Sequence, residues 1–176
     1  MSRRAILLRA VNVGGAKLPM ARLRDIATDL GAENVATYIA SGNLIADIGG
    51  DPTEFDRALE QAIEGEFGFY REAISRTHDE MVAARAAHPF EIIEPKYSYI
   101  SFCLTAPTLE SVALGREVPT GDDLWDVVDR DLHIRYANGA GRPELKADML
   151  LRRLAVPTTA RNLNTVDALI DLTRVS

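Results

Sequence analysis

Short apolar runs alternate with amphipathic stretches in the first half of the chain, and their order predicts a ferredoxin-like unit. The apolar run from Ala5 to Val11 is typical of a buried strand. Pro19 suits the first turn of a helix that ends at Gly31, and the segment 51–54 combines an N-cap, an early proline and a glutamate. The predicted elements are a strand at 5–11, a helix at 19–30, strands at 35–39 and 44–48, a helix at 51–67 and a strand at 70–76, which is the order βαββαβ.

The second half repeats this order of elements without repeating its residues. A capping box at Thr77 and Glu80 opens a helix, and the stretch 97–105 alternates polar and apolar side chains as a strand does. We predict an α+β fold of duplicated ferredoxin-like halves, with largely antiparallel sheets and a C-terminal helix. The halves are βαββαβ at 1–77 and an incomplete βαββα at 78–176. The remaining predicted elements are a helix at 109–114, a hairpin of strands 124–128 and 132–136, and helices at 143–154 and 165–172.

Composition is that of a soluble cytoplasmic protein. The 176 residues are 47% hydrophobic and 26% charged, and a chain of this size buries enough surface without metals or disulfides. The single cysteine, Cys103, excludes an internal disulfide and fits a reducing compartment. No apolar stretch approaches the ~20 residues of a membrane helix, so we expect no membrane association. The acidic pI of about 5.1 argues against nucleic-acid binding, and we expect a monomer or a homodimer.

The net charge of -6 hides two basic segments around an acidic body. Residues 1–30 carry six Lys or Arg and residues 142–161 carry five, whereas residues 31–141 hold twenty of the 26 acidic residues. If the fold brings the basic segments together, they form a positive patch that suits an anionic ligand. The alternative is that these are ordinary scattered surface charges.

Two loops are expected at one edge of the first sheet. In a βαββαβ unit the third strand returns between the first two, so the loop after strand one meets the turn between strands two and three. Glycine N–H groups, Arg9 and Lys17 would then cradle an anion. The spacing is not that of a Walker loop, and a pair of tight turns is the alternative reading. The residues of this cradle are Arg9, Asn12, Gly14, Gly15 and Lys17 in the loop and Ser41, Gly42 and Asn43 in the turn.

A polar cluster precedes the last predicted helix. Asn164 suits the N-cap of that helix, which would also explain Thr165. Capping does not explain Arg161 and Asn162, which could hold a carboxylate or phosphate or could pin neighbouring loops.

Several motifs, in order, resemble the bacterial domain-of-unknown-function family 1697. The resemblance implies duplicated ferredoxin-like halves and no established activity. Ala10 and Leu163 stand where that family usually has Gly and Trp. The motifs are Leu7-Leu8-Arg9-Ala10-Val11-Asn12-Val13-Gly14-Gly15, Pro19-Met20-x-x-Leu23, Thr37-Tyr38-Ile39-x-Ser41-Gly42-Asn43, Tyr136-x-x-Gly139-x-Gly141 and the tail from Thr158 to Val166.

Other chemistry has weak support in the sequence. The three histidines have no metal-ligand spacing, and the acidic run around Trp125 lacks the EF-hand pattern, so we expect neither a metal nor another cofactor. Cys103 has no neighbouring base, which favours a structural thiol over a nucleophile. No residue is assigned a catalytic role.

Two hypotheses remain. In the first, the protein binds a small anionic ligand, a nucleotide or a phosphorylated metabolite, and whether it acts as an enzyme stays open. In the second, it is a non-catalytic interaction or self-associating module in which the same motifs are structural. The predicted ligand-binding residues are Arg9, Asn12, Gly14, Gly15, Lys17, Ser41, Gly42, Asn43, Arg161, Asn162, Asn164 and Thr165.

Overall fold

The computed structural model describes residues 1–175, which fall into two compact units. The first unit comprises residues 1–82 and the segment from Leu169 onward, and the second comprises residues 83–168. The predicted halves 1–77 and 78–176 stay a prediction about domains, because compactness alone does not show that either half folds by itself. Among residues 1–175, no helix has the length and apolar character that crossing a membrane requires.

The first sheet has the strand order that the topology argument predicts. Its order is β2-β3-β1-β4, and every neighbouring pair is antiparallel. The third strand therefore lies between the first two, and Leu7 near the end of β1 pairs with Asn43 at the start of β3. The elements are β1 (Ser2–Leu8), α1 (Met20–Asp29), β2 (Glu33–Tyr38), β3 (Asn43–Ile48), α2 (Pro52–Phe67), β4 (Ala73–Thr77) and α3 (His78–Ala86).

Local signals in the sequence set the ends of two helices. At α2, the Asp51 carboxylate accepts a hydrogen bond of 2.8 Å from the Thr53 amide. At α3, the Glu80 carboxylate accepts from the Thr77 amide at 2.8 Å, and the Thr77 hydroxyl accepts from the Glu80 amide at 3.1 Å. The capping box read from the sequence is therefore present with both of its bonds. The core of the unit forms where α1 and α2 cover one face of the sheet and includes Ile6, Leu8, Leu23, Leu44, Leu59 and Ile63.

The second sheet repeats the first in topology. Its order is β6-β7-β5-β8, again antiparallel throughout, and its core lies between the sheet and α4 and α5. The duplicated ferredoxin-like fold is thus confirmed. The elements are a 3-10 helix (Pro95–Tyr97), β5 (Ser98–Cys103), α4 (Leu109–Gly115), β6 (Leu124–Val128), β7 (Asp131–Arg135), α5 (Ala147–Leu154), β8 (Thr158–Asn162) and α6 (Leu163–Thr173).

Two details of the second half differ from the prediction. Residues 158–162 form β8, so the half has the complete order βαββαβ and not the incomplete one. This strand was missed because its sequence, TTARN, is polar and lacks apolar alternation. The helix predicted from Pro143 begins only at Ala147, because the buried Asp123 carboxylate accepts the amides of Glu144 and Leu145 and holds them in a loop.

Candidate functional site

The loop after β1 and the turn before β3 form one surface, which we call the first-unit rim and define as residues 9–18 and 39–42. Two hydrogen bonds join the turn to the end of β1 and to the loop that follows it. The Leu8 amide donates to the Gly42 carbonyl at 2.9 Å, and the side-chain amide of Asn12 donates to the Ala40 carbonyl. The rim therefore lies where the topology argument placed it, at the end of β1 beside the turn into β3.

Asn12 holds the loop in shape. Its Oδ1 accepts from the Leu18 amide at 2.8 Å, while its Nδ2 donates to the Leu18 carbonyl at 3.1 Å and to the Ala40 carbonyl. Every polar atom of this side chain thus has a partner within the rim. Among the predicted ligand-binding residues, Asn12 fits the role of a positioning residue.

The turn residues also build the rim from below. Gly42 has a φ of 82°, and a Cβ there would lie 2.5 Å from Cγ2 of Val11, so only glycine fits. Asn43 is fully buried, and its Nδ2 donates to the Tyr38 carbonyl and to the Ser41 hydroxyl, both at 3.0 Å. These contacts fix the position of the turn relative to the end of β1.

The glycine pair offers hydrogen-bond donors to solvent. Gly14 and Gly15 are exposed, and no group among residues 1–175 accepts a hydrogen bond from the amides of Val13, Gly14 or Gly15. The Lys17 ammonium is exposed and has no ion pair within the described chain. Positive φ values occur at Ala10, Asn12, Gly14 and Gly15, so the sign of φ alternates from residue 10 to residue 14 and the alternation ends at Gly15. Alternation of this kind directs successive amides toward one anion.

Two arginines flank the loop and are already partly engaged. Arg9 approaches the Glu72 carboxylate at 3.4 Å and keeps 44% of its side chain exposed. Arg71 donates to the Ala10 carbonyl at 3.2 Å, and its guanidinium lies 5.2 Å from the ring centre of Phe69. Arg9 therefore contributes a screened charge, whereas Arg71 secures the backbone of the loop.

The rim holds three non-glycine residues in the left-handed region. The φ values are 51° at Ala10, 58° at Asn12 and 50° at Ile39. Ile39 is β-branched, for which this conformation is a real outlier, and its side chain is 54% exposed. Val13, on the facing loop, is 59% exposed. Sequence reasoning missed both apolar residues, although an isoleucine two residues before a Ser-Gly-Asn turn was a readable signal.

Arg161 and the three other residues predicted from the C-terminal motif all lie in the second unit, at the end of β8 and in the first turn of α6. Arg161 is in β8 and only 7% exposed, and its Nη1 donates to the Thr159 hydroxyl at 2.6 Å and to the Ala160 carbonyl at 2.9 Å. Burial lowers the pKa of Arg161 to about 10, so its guanidinium stays charged at neutral pH.

The N-cap of α6 is Asn162, and the assignment of Asn164 as the cap was wrong. Oδ1 of Asn162 accepts from the Thr165 amide at 3.0 Å, three residues on, as a capping side chain does. Asn164 is exposed inside the helix, and Thr165 is buried. Both Asn162 and Asn164 are suitable N-cap residues by sequence. Because β8 ends at Asn162 and α6 begins at Leu163, Asn162 takes the cap position.

Residues 1–175 contain no group of three or more His, Cys, Asp or Glu side chains placed to hold a metal ion. Cys103 is buried in β5, and its thiol lies 3.6 Å from the Ser101 carbonyl. Its backbone amide donates to the Asp131 carboxylate at 3.0 Å. These contacts fit the structural role expected for this thiol.

Comparison with known proteins shows a shared fold and a shared family. The solved structure of a conserved bacterial protein, SP0830 from Streptococcus pneumoniae, has a TM-score of 0.75, 22% sequence identity and coverage of 98% of each chain. A putative glycine cleavage system transcriptional repressor has a TM-score of only 0.24 and 12% identity, over 90% of this chain and 95% of that one, which is too low for a fold comparison. No curated protein matches significantly. A family model matches residues 1–133, which include the whole first-unit rim, and the chain therefore belongs to the family described as Protein of unknown function (DUF1697).

Proposed function

We propose that the first-unit rim binds a small anionic ligand, a nucleotide or a phosphorylated metabolite. The observation that carries this proposal is the row of amides at Val13, Gly14 and Gly15, which have no acceptor among residues 1–175. Lys17 follows Gly15 by two residues, and its ammonium is exposed and has no ion pair among those residues. Converging backbone N–H groups with a cation beside them form a common anion site in proteins.

Backbone strain supports a functional reading of the rim. Non-glycine residues in sparsely populated conformations cost on the order of 1–3 kcal/mol each and persist where the surroundings hold them. Here the surroundings are the three hydrogen bonds of the Asn12 side chain and the close approach of Gly42 to Val11. A plain turn between two antiparallel strands needs no strained isoleucine, whereas a preorganised site commonly contains strained residues.

The exposed apolar side chains narrow the ligand class. Val13 and Ile39 lie on the two segments that Asn12 ties together. An ion such as free phosphate gains nothing from apolar neighbours, whereas a ligand with an apolar part beside its anionic group buries them and gains ~25 cal/mol per Å² of apolar surface. The proposed ligand therefore carries a phosphate or carboxylate and an organic body.

Within this proposal the predicted residues divide by role. The Gly14 and Gly15 amides and Lys17 would contact the anionic group, and Arg9 would add a screened charge. The Asn12, Ser41, Gly42 and Asn43 side chains and backbone would shape the rim. Helix α1 begins at Met20, just after the loop, and the partial positive charge of its N-terminus favours the same sign of ligand.

A thermal-shift series tests the proposal. The probes are inorganic phosphate, adenosine 5′-monophosphate, glucose 6-phosphate and citrate. A ligand at 100 times its Kd adds ~2.7 kcal/mol, which is roughly 5–10 °C in Tm for a chain of this size. We expect the organic phosphates to raise Tm more than inorganic phosphate does, because only they reach Val13 and Ile39.

Matched variants locate the effect. Gly14→Ala and Gly50→Ala each place a Cβ in open space at a glycine of positive φ, so both should cost similar stability. Only Gly14→Ala should reduce the ligand shift, and Lys17→Ala should do so more than Lys146→Ala. Absence of any shift, or a shift equal in all four variants, would overturn the proposal. Concentration-dependent dimerisation by light scattering would then support the self-associating alternative.

A further inference from the structure

The second unit has its own cleft, with a volume of about 430 Å³. Small-molecule sites commonly have volumes of about 300–1,000 Å³. The cleft is formed where β5 begins, where the loop after β7 passes over it, and where β8 ends. Its lining residues are Lys96, Tyr97, Tyr99, Asn138, Gly139, Ala140, Gly141, Arg142 and Asn162.

The walls of this second-unit cleft are fixed by close contacts. Gly139 has a φ of 84°, and a Cβ there would lie 3.0 Å from the ring of Tyr97, so glycine lets the loop pass directly against the ring. The Tyr136 amide donates to the Tyr97 carbonyl at 2.8 Å. The Tyr99 ring meets the Tyr136 ring edge to face, with 5.7 Å between centres.

A buried carboxylate secures both ends of the loop. Asp123 is 1% exposed, and it accepts the amide of Ala137 at 2.8 Å and those of Glu144 and Leu145 at 2.7 and 2.9 Å. The loop between these residues therefore has a defined path without a helix or strand of its own. A site on this loop is ordered before a ligand arrives, which reduces the entropic cost of binding.

Three side-chain donors of the cleft have no partner or only a weak one. Oδ1 of Asn162 is engaged by the cap of α6, which fixes the amide, and its Nδ2 has no hydrogen-bond partner among the described residues. The guanidinium of Arg142 likewise has no partner within residues 1–175. Lys96 lies 3.4 Å from Glu94 in a pair that is more than half exposed and therefore weak.

Charge and aromatic surface coincide in the cleft. None of its nine lining residues is acidic, although the chain carries a net charge of -6. Two of the nine are cationic and two are tyrosines, and the Lys96 ammonium lies 5.7 Å from the ring centre of Tyr97. Cations and amide donors select an anion, and tyrosine rings provide a surface for a planar group.

We propose that the second-unit cleft is a separate binding site for an aromatic anion, a planar ring that carries a phosphate or carboxylate. The ring stacks at Tyr97 and Tyr99, and the anionic group contacts Arg142, Lys96 and Nδ2 of Asn162. A single mononucleotide matches both the chemistry and the volume. This site is independent of the first-unit rim, because it shares no residue with it.

Isothermal titration with three probes tests the chemistry. Adenosine 5′-monophosphate carries the ring and the anion, adenosine carries only the ring, and ribose 5-phosphate carries only the anion. The monophosphate should bind at least about tenfold more tightly than either fragment, since each contributes part of the binding free energy. Equal affinity for all three would overturn the proposal. An eight-nucleotide adenylate strand is the fourth probe, and tighter binding of it per site than of the monophosphate would show that a nucleic-acid strand is the ligand and overturn a small-molecule site.

Variants then assign the site. Asn162→Asp keeps an oxygen acceptor for the cap of α6, but it replaces the donor Nδ2 with a negatively charged oxygen that repels an anionic ligand. Tm should therefore stay unchanged while the affinity falls about tenfold or more. Arg142→Ala should weaken binding by a similar factor, and Arg152→Ala, an exposed arginine outside the cleft, should not. Affinity unchanged in Asn162→Asp and Arg142→Ala would overturn the proposal. If Gly14→Ala and Lys17→Ala alone abolish binding, the ligand occupies the rim, and the cleft proposal fails while the proposed function stands.

Discussion

The imidazole rings of His88 and His133 face each other, with 3.0 Å between their Nδ1 atoms. Such a contact is a hydrogen bond only when one Nδ1 carries a proton and the other does not, so the two neutral rings take opposite tautomers. Both Nε2 atoms are buried without a partner within residues 1–175. A proton added to either ring would have to be accommodated away from water.

This pair predicts a loss of stability in acid. Burial lowers the pKa of His88 to about 4, helped by His133 and two arginines, and burial also lowers the pKa of His133. In the unfolded chain both rings take up a proton near pH 6.5. The unfolded state thus binds more protons between pH 6.5 and about 4, and the free energy of unfolding falls as the pH decreases through that range.

Urea unfolding at several pH values measures the effect. Because His88 is only half-buried, we expect it to contribute a fall of about 1–2 kcal/mol from pH 7 to pH 4, less than its full pKa shift implies. His88→Gln removes the titrating group, so the variant should lose that part of the slope. A slope identical in the variant and the parent would show that the pair does not govern acid stability.

A buried carboxyl in the first unit predicts the opposite trend. Burial raises the pKa of Asp56 to about 6, against the hydrogen bond of 2.7 Å that the Ser75 hydroxyl donates to it. The folded state therefore holds a proton between pH 3.8 and 6 that the unfolded state releases. Its contribution to stability is lost as the pH rises through that window.

Asp56→Asn should consequently stabilise the protein at pH 8, by about 1–2 kcal/mol, because the amide keeps an acceptor for Ser75 and never ionises. The gain should vanish near pH 4, where the parent carboxyl is protonated. Asp25→Asn, on the exposed side of α1, provides the control. Destabilisation at pH 8 by Asp56→Asn alone would mean that the ionised form is the preferred one.

The fold was readable from the sequence because each strong signal was local. The capping box at Thr77 and the cap and proline at Asp51 lie within four residues of the helix starts that they set. The meeting of the Gly14 loop with the Ser41 turn followed from strand order alone. Strand β8 escaped because its side chains are polar, and its place is set by pairing with β5.

The details of the candidate sites depend on contacts between distant residues. The sequence presents Asn12 as a possible ligand contact, and only the positions of Leu18 and Ala40 show that its polar atoms are occupied. Lys96 and Arg142 converge because Asp123 holds the loop after β7, and no spacing rule connects these three positions. The periodicity of apolar residues indicates which residues are buried, but it does not indicate which polar atoms lack a hydrogen-bond partner.

Replacement of Asn12 should lower the free energy of unfolding by several kcal/mol, because it removes loop contacts and strains the backbone. Asn12→Ala deletes three hydrogen bonds at about 1 kcal/mol each and puts alanine at a φ of 58°, which costs about 1 kcal/mol more. Asn12→Gly deletes the same bonds but tolerates the conformation, so it should be less destabilising by about 1 kcal/mol. Chemical unfolding of the two variants measures the difference, and equal losses would show that the backbone is not strained there.

Substitution of Ile39 tests whether the strained backbone of the rim serves ligand binding. Asparagine tolerates the left-handed region far better than a β-branched residue, and a side chain already 54% exposed loses little burial. Ile39→Asn should therefore raise the free energy of unfolding by about 1 kcal/mol. Ile93, which is 51% exposed and has no positive φ, provides the control, and Ile93→Asn should bring no such gain.

The same substitution should act against binding. If the Ile39 side chain contacts the organic body of the ligand, Ile39→Asn raises Tm in the absence of ligand and reduces the ligand-induced shift. If Ile39 is a strained residue that contacts the ligand, its replacement raises the free energy of unfolding and lowers the affinity for the ligand. Both effects follow from the same substitution, because it relieves the strain and also removes the contact with the ligand. A variant that gains stability and keeps the full ligand shift would place the ligand away from Ile39, and one that loses stability would show that the turn favours isoleucine for its packing.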